Sequence, residues 1–258
     1  MSGRYLETMT WPEAAHELRT AKLIIIPVGA RCKEHGHHLP LNTDWVLAEY
    51  FTSRVLEQVA AVALPTVTYG YYPAFVEYPG SIHIERATFA ATISDICRSL
   101  ARHSSARMYI LNTGVSTNWA LEPARLELAQ ENIVMDYTDL LAVLNDVEAR
   151  IAEQPAGTHA DEIETSMMLE ICPQVVKLEL ARRDIDPRGK RPGPLTRDPD
   201  VEHGVYSPTG AWGDPTLATC EKGHLVIETL VDRIVQNLTD MASSSFIVAP
   251  QRQQYMDG

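Results

Sequence analysis

The feature that most constrains this chain is an apolar run that leads directly into a loop dense in ionisable side chains. The run 23–28 reads LIIIPV and ends at Gly29, and three histidines, a glutamate and an aspartate follow within 34–44. A continuous apolar run of this kind predicts a strand that is buried on both faces. Because ligands and catalytic groups lie beyond the carboxyl ends of such strands in α/β sheets, we expect the functional site in this loop.

Apolar runs and helical patterns alternate along the rest of the chain. Apolar residues at helical spacing predict helices over 10–21, 44–60, 88–103, 119–131 and 216–241, with one more that starts at 162. Further strands are predicted at 62–67, 107–111 and 133–137. The chain has 258 residues, 45% of them apolar, which is enough for a full core. We therefore predict a single α/β domain over 1–258, with three α/β/α layers and a mostly parallel central sheet.

The charge and the cysteines argue against several classes of protein. The net charge is −12, with 34 acidic and 22 basic residues and no basic patch, so we expect neither nucleic acid nor an anionic membrane as partner. No apolar run reaches the roughly 18 residues of a membrane span, and the N-terminus has no signal-peptide core. Four scattered cysteines without a CxxC pair predict reduced thiols and a cytoplasmic location.

Four blocks of this sequence resemble one known family. The segment 29–44, GARCKEHGHHLPLNTD, is similar to the pattern G-x-x-E-Q-H-G-x-H-L-P-L-x-x-D of the creatininase (creatinine amidohydrolase) family. The other blocks follow in the family's order: YGYYP with YPGSI at 69–82, HADEIETSMML at 159–169, and GAWGDP with AT and EKG at 210–223. The resemblance implies the family's α/β fold and hydrolysis of a C–N bond in a small cyclic or linear amide. It also implies a homo-oligomer, for which we predict a hexamer.

This sequence departs from the family pattern at several positions that bind metal in the family. The family binds two divalent ions through the Glu and His of E-Q-H-G, the Asp that ends the loop, and a later N-G-H-x-x-N block. Here Lys33 stands at the Glu position. In the later block, Val115 stands at the His position, and Thr117 stands where some members have Glu. The resemblance therefore leaves only His35 and Asp44 as metal ligands.

These departures limit the metal content that we expect. An ammonium beside a metal ion is repulsive, and more so at low dielectric, so Lys33 disfavours the family's two-metal arrangement. One reading keeps a single divalent ion, which recruits Glu34, His38, His159 or Glu164 as further ligands. Zn²⁺ suits the imidazole and carboxylate groups of such a site. The other reading has no metal, and Lys33 supplies the positive charge.

The site prediction combines the resemblance with the chemistry of the side chains. On spacing alone, His159 and Glu164 are loop and first-turn residues of a helix, and Ser116 and Thr117 are helix caps. The resemblance places His159 and Glu164 at the active site instead, whereas a site role for Ser116 and Thr117 rests on their hydroxyls in the loop after a predicted strand. We assign catalytic roles to Lys33, Glu34, His159 and Glu164. We assign substrate binding to Tyr71, His38, Ser116 and Thr117, and metal binding to His35 and Asp44.

Three functional hypotheses follow from different classes. The first is an amidohydrolase with at most one metal, in which His159 or Glu164 shuttles protons. The second is a metal-free enzyme in which Lys33 acts as an electrophile or a Schiff-base amine. The third is a non-catalytic homologue that serves as a binding or structural subunit. The density of ionisable groups favours an enzyme acting on a small-molecule substrate, because burying such groups without a purpose is costly.

One segment, 182–210, has no periodicity and is rich in Pro, Gly, Arg and Asp. Loops of this length are uncommon and are often functional. The plain interpretation is a surface connection or an arm that contacts another subunit. The functional interpretation is a lid over the site.

Overall fold

The computed structural model describes residues 3–189, 193–243 and 250–256. A five-stranded sheet lies at its centre, and every pairing in the sheet is parallel. Its strands are Arg4–Tyr5 (β1), Leu23–Val28 (β2), Val62–Ala63 (β3), Arg107–Asn112 (β4) and Met135–Tyr137 (β5). They lie in the order β1-β3-β2-β4-β5, which confirms the predicted α/β class with a parallel central sheet.

Helices cover both faces of this sheet. They are Trp11–Thr20 (α1), Thr43–Leu56 (α2), Arg86–Ala101 (α3), Asn118–Gln130 (α4), Leu140–Ile151 (α5), Glu162–Ile171 (α6) and Cys220–Ala242 (α7). Successive side chains of β2 point to opposite faces. Leu23 and Ile25 therefore pack in one core with α2, α5, α6 and α7. Ile24 and Ile26 pack in a second core with α1, α3 and α4, which gives the three layers expected from the sequence.

Several elements differ from their predicted limits. The strand predicted at 62–67 is only two residues long, and α7 begins at Cys220 rather than at 216. Helix α5 was not predicted, although Asp139 caps it by accepting a hydrogen bond from the amide of Ala142. Segment 182–210 contains two short strands, Leu195–Thr196 (β6) and Val205–Tyr206 (β7), which pair in parallel. Among the described residues, no helix is both long enough and apolar enough to span a bilayer.

The register of the two central strands determines where the functional loops meet. Val28 at the end of β2 pairs with Asn112 at the end of β4, so the loops that follow leave the sheet side by side. Gly29 lets α2 approach the end of β2, because a Cβ there would lie 2.4 Å from the carbonyl oxygen of Asp44. This contact places the first turn of α2 directly over the loop that carries Lys33 and His35.

Candidate active site

A cavity of about 670 Å³ opens beside these loops and contains the catalytic candidates at its polar end. Lys33 comes from the loop after β2, and His159 and Glu164 come from the start of α6. Most of the remaining wall is apolar and includes residues of α5 and α6. Three of the four residues that the sequence predicted as catalytic therefore line the cavity, and the fourth, Glu34, lies behind His159 and contacts its ring.

A buried ion pair joins Lys33 to Asp44. The ammonium nitrogen of Lys33 lies 2.7 Å from Oδ2 of Asp44, and the two residues are only 4% and 2% exposed. Burial by itself would raise the pKa of Asp44, but the charges of Lys33 and His35 hold it well below its ordinary value. The side chain that replaces the family's glutamate is therefore part of the site and neutralises its central carboxylate.

The ring of His35 is fully buried between hydrogen-bond acceptors. Its Nδ1 lies 2.9 Å from the carbonyl oxygen of Lys33. Its Nε2 lies 2.9 Å from Oδ1 of Asp44 and 3.6 Å from Oε1 of Glu164. Burial and the ammonium of Lys33 lower the pKa of His35, but the two carboxylates outweigh them and the net direction is upward. Since Nδ1 donates to a carbonyl, Nε2 needs a proton or a metal ion to satisfy the carboxylates around it.

The ring of His159 is held by hydrogen bonding of its Nε2. Its Nε2 lies 2.7 Å from Oε1 of Glu34, and its Nδ1 lies 3.7 Å from Oε2 of Glu164. Burial would raise the pKa of Glu34, but His159 and the amide of Gly36 lower it overall. Ala160 has a φ of 45°, an uncommon conformation for an alanine, and its amide donates to Oε2 of Glu164 over 2.6 Å. This strained backbone aligns His159 and Glu164.

The donor set of the site fits one divalent ion. Within the described part of the chain, ligand atoms of His35, His159 and Glu164 lie within 4.8 Å of one another. Two histidines and a glutamate form a common catalytic zinc set. In each ring the nitrogen that faces away from this set has a hydrogen-bond acceptor, the Lys33 carbonyl for His35 and the Glu34 carboxylate for His159. A second ion at Asp44 is disfavoured, because the Lys33 ammonium already pairs with Oδ2 of this carboxylate.

The predicted substrate-binding residues lie in different surroundings. Ser116 lines the large cavity. Nε2 of His38 is 2.8 Å from the hydroxyl of Thr165, and burial lowers the pKa of His38 to about 4, so the ring is neutral at pH 7. Thr117 lines a separate pocket of about 10 Å³ beside Asp44. Tyr71 packs against His83, with ring centroids 5.4 Å apart. Of the four, only Ser116 is in the cavity wall.

Two aromatic residues of the site were not assigned from the sequence. The ring of Phe75 lies 4.2 Å from the ring of His159 and 5.0 Å from the Lys33 nitrogen, so it covers the catalytic cluster. Trp212 lines the cavity, and its carbonyl accepts hydrogen bonds from the amides of Thr158 and His159. Trp212 belongs to the GAWGDP block, whose match to the family pattern was the available signal.

Part of segment 182–210 lies against the cavity. Gly193, Pro194, Leu195 and Val205 belong to the cavity wall. This placement favours the interpretation of the segment as a cover over the site, which was the less favoured one from sequence. Residues 190–192 of the segment lie outside the described residues.

Comparison with known sequences gives a consistent set of relatives. The creatininase family model, described as creatinine amidohydrolase, matches residues 7–238. Creatinine amidohydrolase of Pseudomonas putida is 28% identical over 92% of this chain and 96% of its own length. The 3-dehydro-scyllo-inosose hydrolase of Thermotoga maritima is 25% identical over 93% of this chain and 84% of its own. The mycofactocin precursor peptide peptidase of Mycolicibacterium smegmatis is 29% identical over 81% of each chain.

Solved structures are similar over nearly the whole fold. A crystal structure of creatinine amidohydrolase superimposes with a TM-score of 0.76 at 26% identity, covering 93% of this chain and 98% of that one. A mutant creatininase of the Zn–Zn type gives a TM-score of 0.73 at 25% identity, covering 92% and 97%. A manganese creatininase gives 0.73 at 25% identity, covering 92% and 98%. The last two structures are described as metal-bound, and the polar end of the cavity in this chain has a group of side chains that could hold a metal ion.

Proposed function

Because the chain belongs to the creatininase family, we propose that it is an amidohydrolase that cleaves the C–N bond of a small cyclic or linear amide. The observation that carries this proposal is the convergence of Lys33, His159 and Glu164 at the polar end of one cavity. An ammonium, an oriented imidazole and a carboxylate are the groups that amide hydrolysis needs for polarisation and proton transfer.

We propose that one divalent ion, Zn²⁺, binds to His35, His159 and Glu164. The support is the spacing of their ligand atoms and the hydrogen bonds that fix the far nitrogen of each ring. An ion held there would supply Lewis acidity for the amide carbonyl and for a water. Asp44, a metal ligand by resemblance to the family, instead anchors the ammonium of Lys33 in this proposal.

Lys33 supplies the charge that a second metal supplies in the family. An ammonium has three N–H donors, and Asp44 accepts one of them. Because Lys33 also lines the cavity, its other donors are available to the carbonyl oxygen of the substrate. Fixed positive charge at this oxygen stabilises the negative charge that develops there when water adds to the carbonyl.

Glu34 acts through His159 rather than on the substrate. Its carboxylate accepts from the ring of His159 and from the amide of Gly36. It is buried and does not belong to the cavity wall. Glu34 is therefore a positioning residue, which orients the ring of His159 so that Nδ1 faces Glu164.

A metal-free enzyme is the second candidate, favoured by the surroundings of His35. Both ring nitrogens of His35 lie 2.9 Å from oxygen acceptors, which suits an imidazolium. In this case Nδ1 of His159 accepts a proton from the attacking water, while Nε2–H donates to Glu34. Lys33 polarises the carbonyl as before. The two candidates differ in metal content and in their response to a chelator.

Assembly and location remain proposals. We propose a homo-oligomer, a hexamer by resemblance to the family. Exposed apolar side chains support an interface, and they include Leu41, Val76, Ile82, Leu178 and Leu180. We also propose a cytoplasmic location, since all four cysteines are free in the structure.

The proposed function is tested by a turnover screen of small lactams, formamides and ureas. Activity on a hit should fall by about 100-fold or more in Lys33→Met, because pre-organised charge is a large catalytic term. Lys22→Met, a change of the same kind at an exposed position, should keep full activity. If Lys33→Met also keeps full activity, the proposed role of Lys33 is wrong. Loss of activity on chelation, restored by Zn²⁺, favours the one-metal candidate over the metal-free one.

A further inference from the structure

The cavity beside the catalytic cluster is much larger than a single small ring requires. Its volume is about 670 Å³. At about 30 Å³ for each water-sized group, this space holds roughly 20 non-hydrogen atoms. Pockets of about 300–1,000 Å³ bind drug-sized molecules. A substrate that fills this cavity therefore extends well beyond its amide group.

The wall away from the catalytic cluster is apolar. Leu141 and Leu144 of α5 are three residues apart and share one face of the helix, which lines the cavity. Met167 of α6 and Trp119 of α4 line the cavity as well, whereas Trp212 lines it beside His159. Leu141 is 39% exposed although it is large and apolar. Such a wall favours a bulky apolar group over a hydrated one.

Two carboxylates outside the catalytic cluster, Glu148 and Asp161, also line the cavity, and Asp161 already accepts hydrogen bonds from the amides of Ile163 and Glu164 and from the side chain of Gln154. Glu148 lies one helical turn beyond Leu144 and also lines the cavity. Within residues 3–189, 193–243 and 250–256, the carboxylate of Glu148 has no hydrogen-bond or ion-pair partner. Burial, and to a smaller extent the charge of Asp161, raises the pKa of Glu148 to about 7. A half-buried carboxylate without a donor is unfavourable, and a ligand with a cationic N–H group would remove that cost.

We propose that the substrate is an amide with a bulky apolar body and a cationic N–H group, the body packing against α5 and the cation pairing with Glu148. The identity of the reacting bond rests on the function proposed above. Recognition by Glu148 does not require turnover, and the net charge of −12 assists the approach of a cation.

The test is calorimetric binding of two matched probes, naphthylmethylamine and naphthylmethanol, to the full-length protein. The amine should bind at least about tenfold more tightly than the alcohol, because it forms a charge-assisted hydrogen bond. Glu148→Gln should abolish this preference. Glu57→Gln, which removes the same charge at an exposed position outside the cavity, should retain it. Leu141→Ser should weaken both probes by about fivefold through lost apolar contact.

Failure of the recognition can be distinguished from failure of the proposed function. Equal affinity of the two probes for the parent protein overturns the role of Glu148, and so does an unchanged preference in Glu148→Gln. Absence of binding by both probes overturns the apolar recognition. If the amine preference behaves as expected but no amide is hydrolysed, the recognition holds and the proposed function fails. Thermal unfolding of each variant shows that the fold is retained.

Discussion

Replacement of Lys33 by methionine tests the buried ion pair. The change keeps much of the apolar stem and removes the ammonium that lies 2.7 Å from Asp44. Burial raises the pKa of Asp44, and in the variant the Lys33 charge no longer opposes this effect. Breaking a buried pair by removal of one partner costs about 3–5 kcal/mol. Because His35 still donates to Asp44, we expect the lower end, about 3 kcal/mol.

Thermal unfolding measures this cost. For a chain of this size, about 3 kcal/mol corresponds to a fall in Tm of roughly 6–12 °C. The protein is first dialysed against a chelator, so that no divalent ion takes the place of the ammonium beside Asp44. The double variant Lys33→Met with Asp44→Asn should recover about half of the loss, because the asparagine oxygen still accepts from His35 and no carboxylate is left without its ammonium partner.

The control is Lys22→Met, which should change the free energy of unfolding by less than about 0.5 kcal/mol. If Lys33→Met shifts the Tm no more than this control, the ammonium does not stabilise Asp44. The reasoning about the replaced metal charge is then wrong. The double-variant cycle gives the interaction energy of Lys33 with Asp44 directly.

Three further predictions concern the metal site, the fold and the assembly. Lys33→Glu restores the family residue but not the ligands missing at Val115 and Thr117, so we expect elemental analysis to find no second ion; a second ion would show that Lys33 alone excludes it. Gly29→Ala should lower the free energy of unfolding by about 1–3 kcal/mol in chemical denaturation, since its Cβ would lie 2.4 Å from the backbone of α2. Gly70→Ala, whose Cβ would have an ordinary contact of 3.7 Å, should lower it by less. Equal costs would refute the close approach of α2. Light scattering at micromolar concentration should give the mass of a hexamer, and a monomer would contradict this assignment.

The sequence predicts the fold class because its strands and helices have strong periodic patterns. Strand β2 is a continuous apolar run, and its predicted limits, 23–28, are those observed. Helix α5 was missed because its first residues, LLAVL, form a continuous apolar run without helical spacing. Its only local signal was Asp139 as an N-terminal cap. The short strand β3 depends on pairing with β1 and β2, which no local pattern encodes.

The site was predictable only where residues lie close in sequence or match a family block. The approach of Lys33, His35 and Asp44 follows from one loop and the helix after it. The distance of about 125 positions between Glu34 and His159 explains why their pairing, over 2.7 Å, was not foreseen. Glu148 gave no sequence signal, because its place in the cavity wall depends on the tertiary packing of α5, which lies against α7.

The most direct test of the account is the metal content of the purified protein, measured by mass spectrometry. We predict about one equivalent of a divalent ion per chain, with Zn²⁺ preferred. Glu164→Gln should lose most of this ion, whereas Glu170→Gln, an exposed position on the same helix, should retain it. Two tightly bound equivalents per chain, or one that persists in Glu164→Gln, would contradict the proposed site of His35, His159 and Glu164.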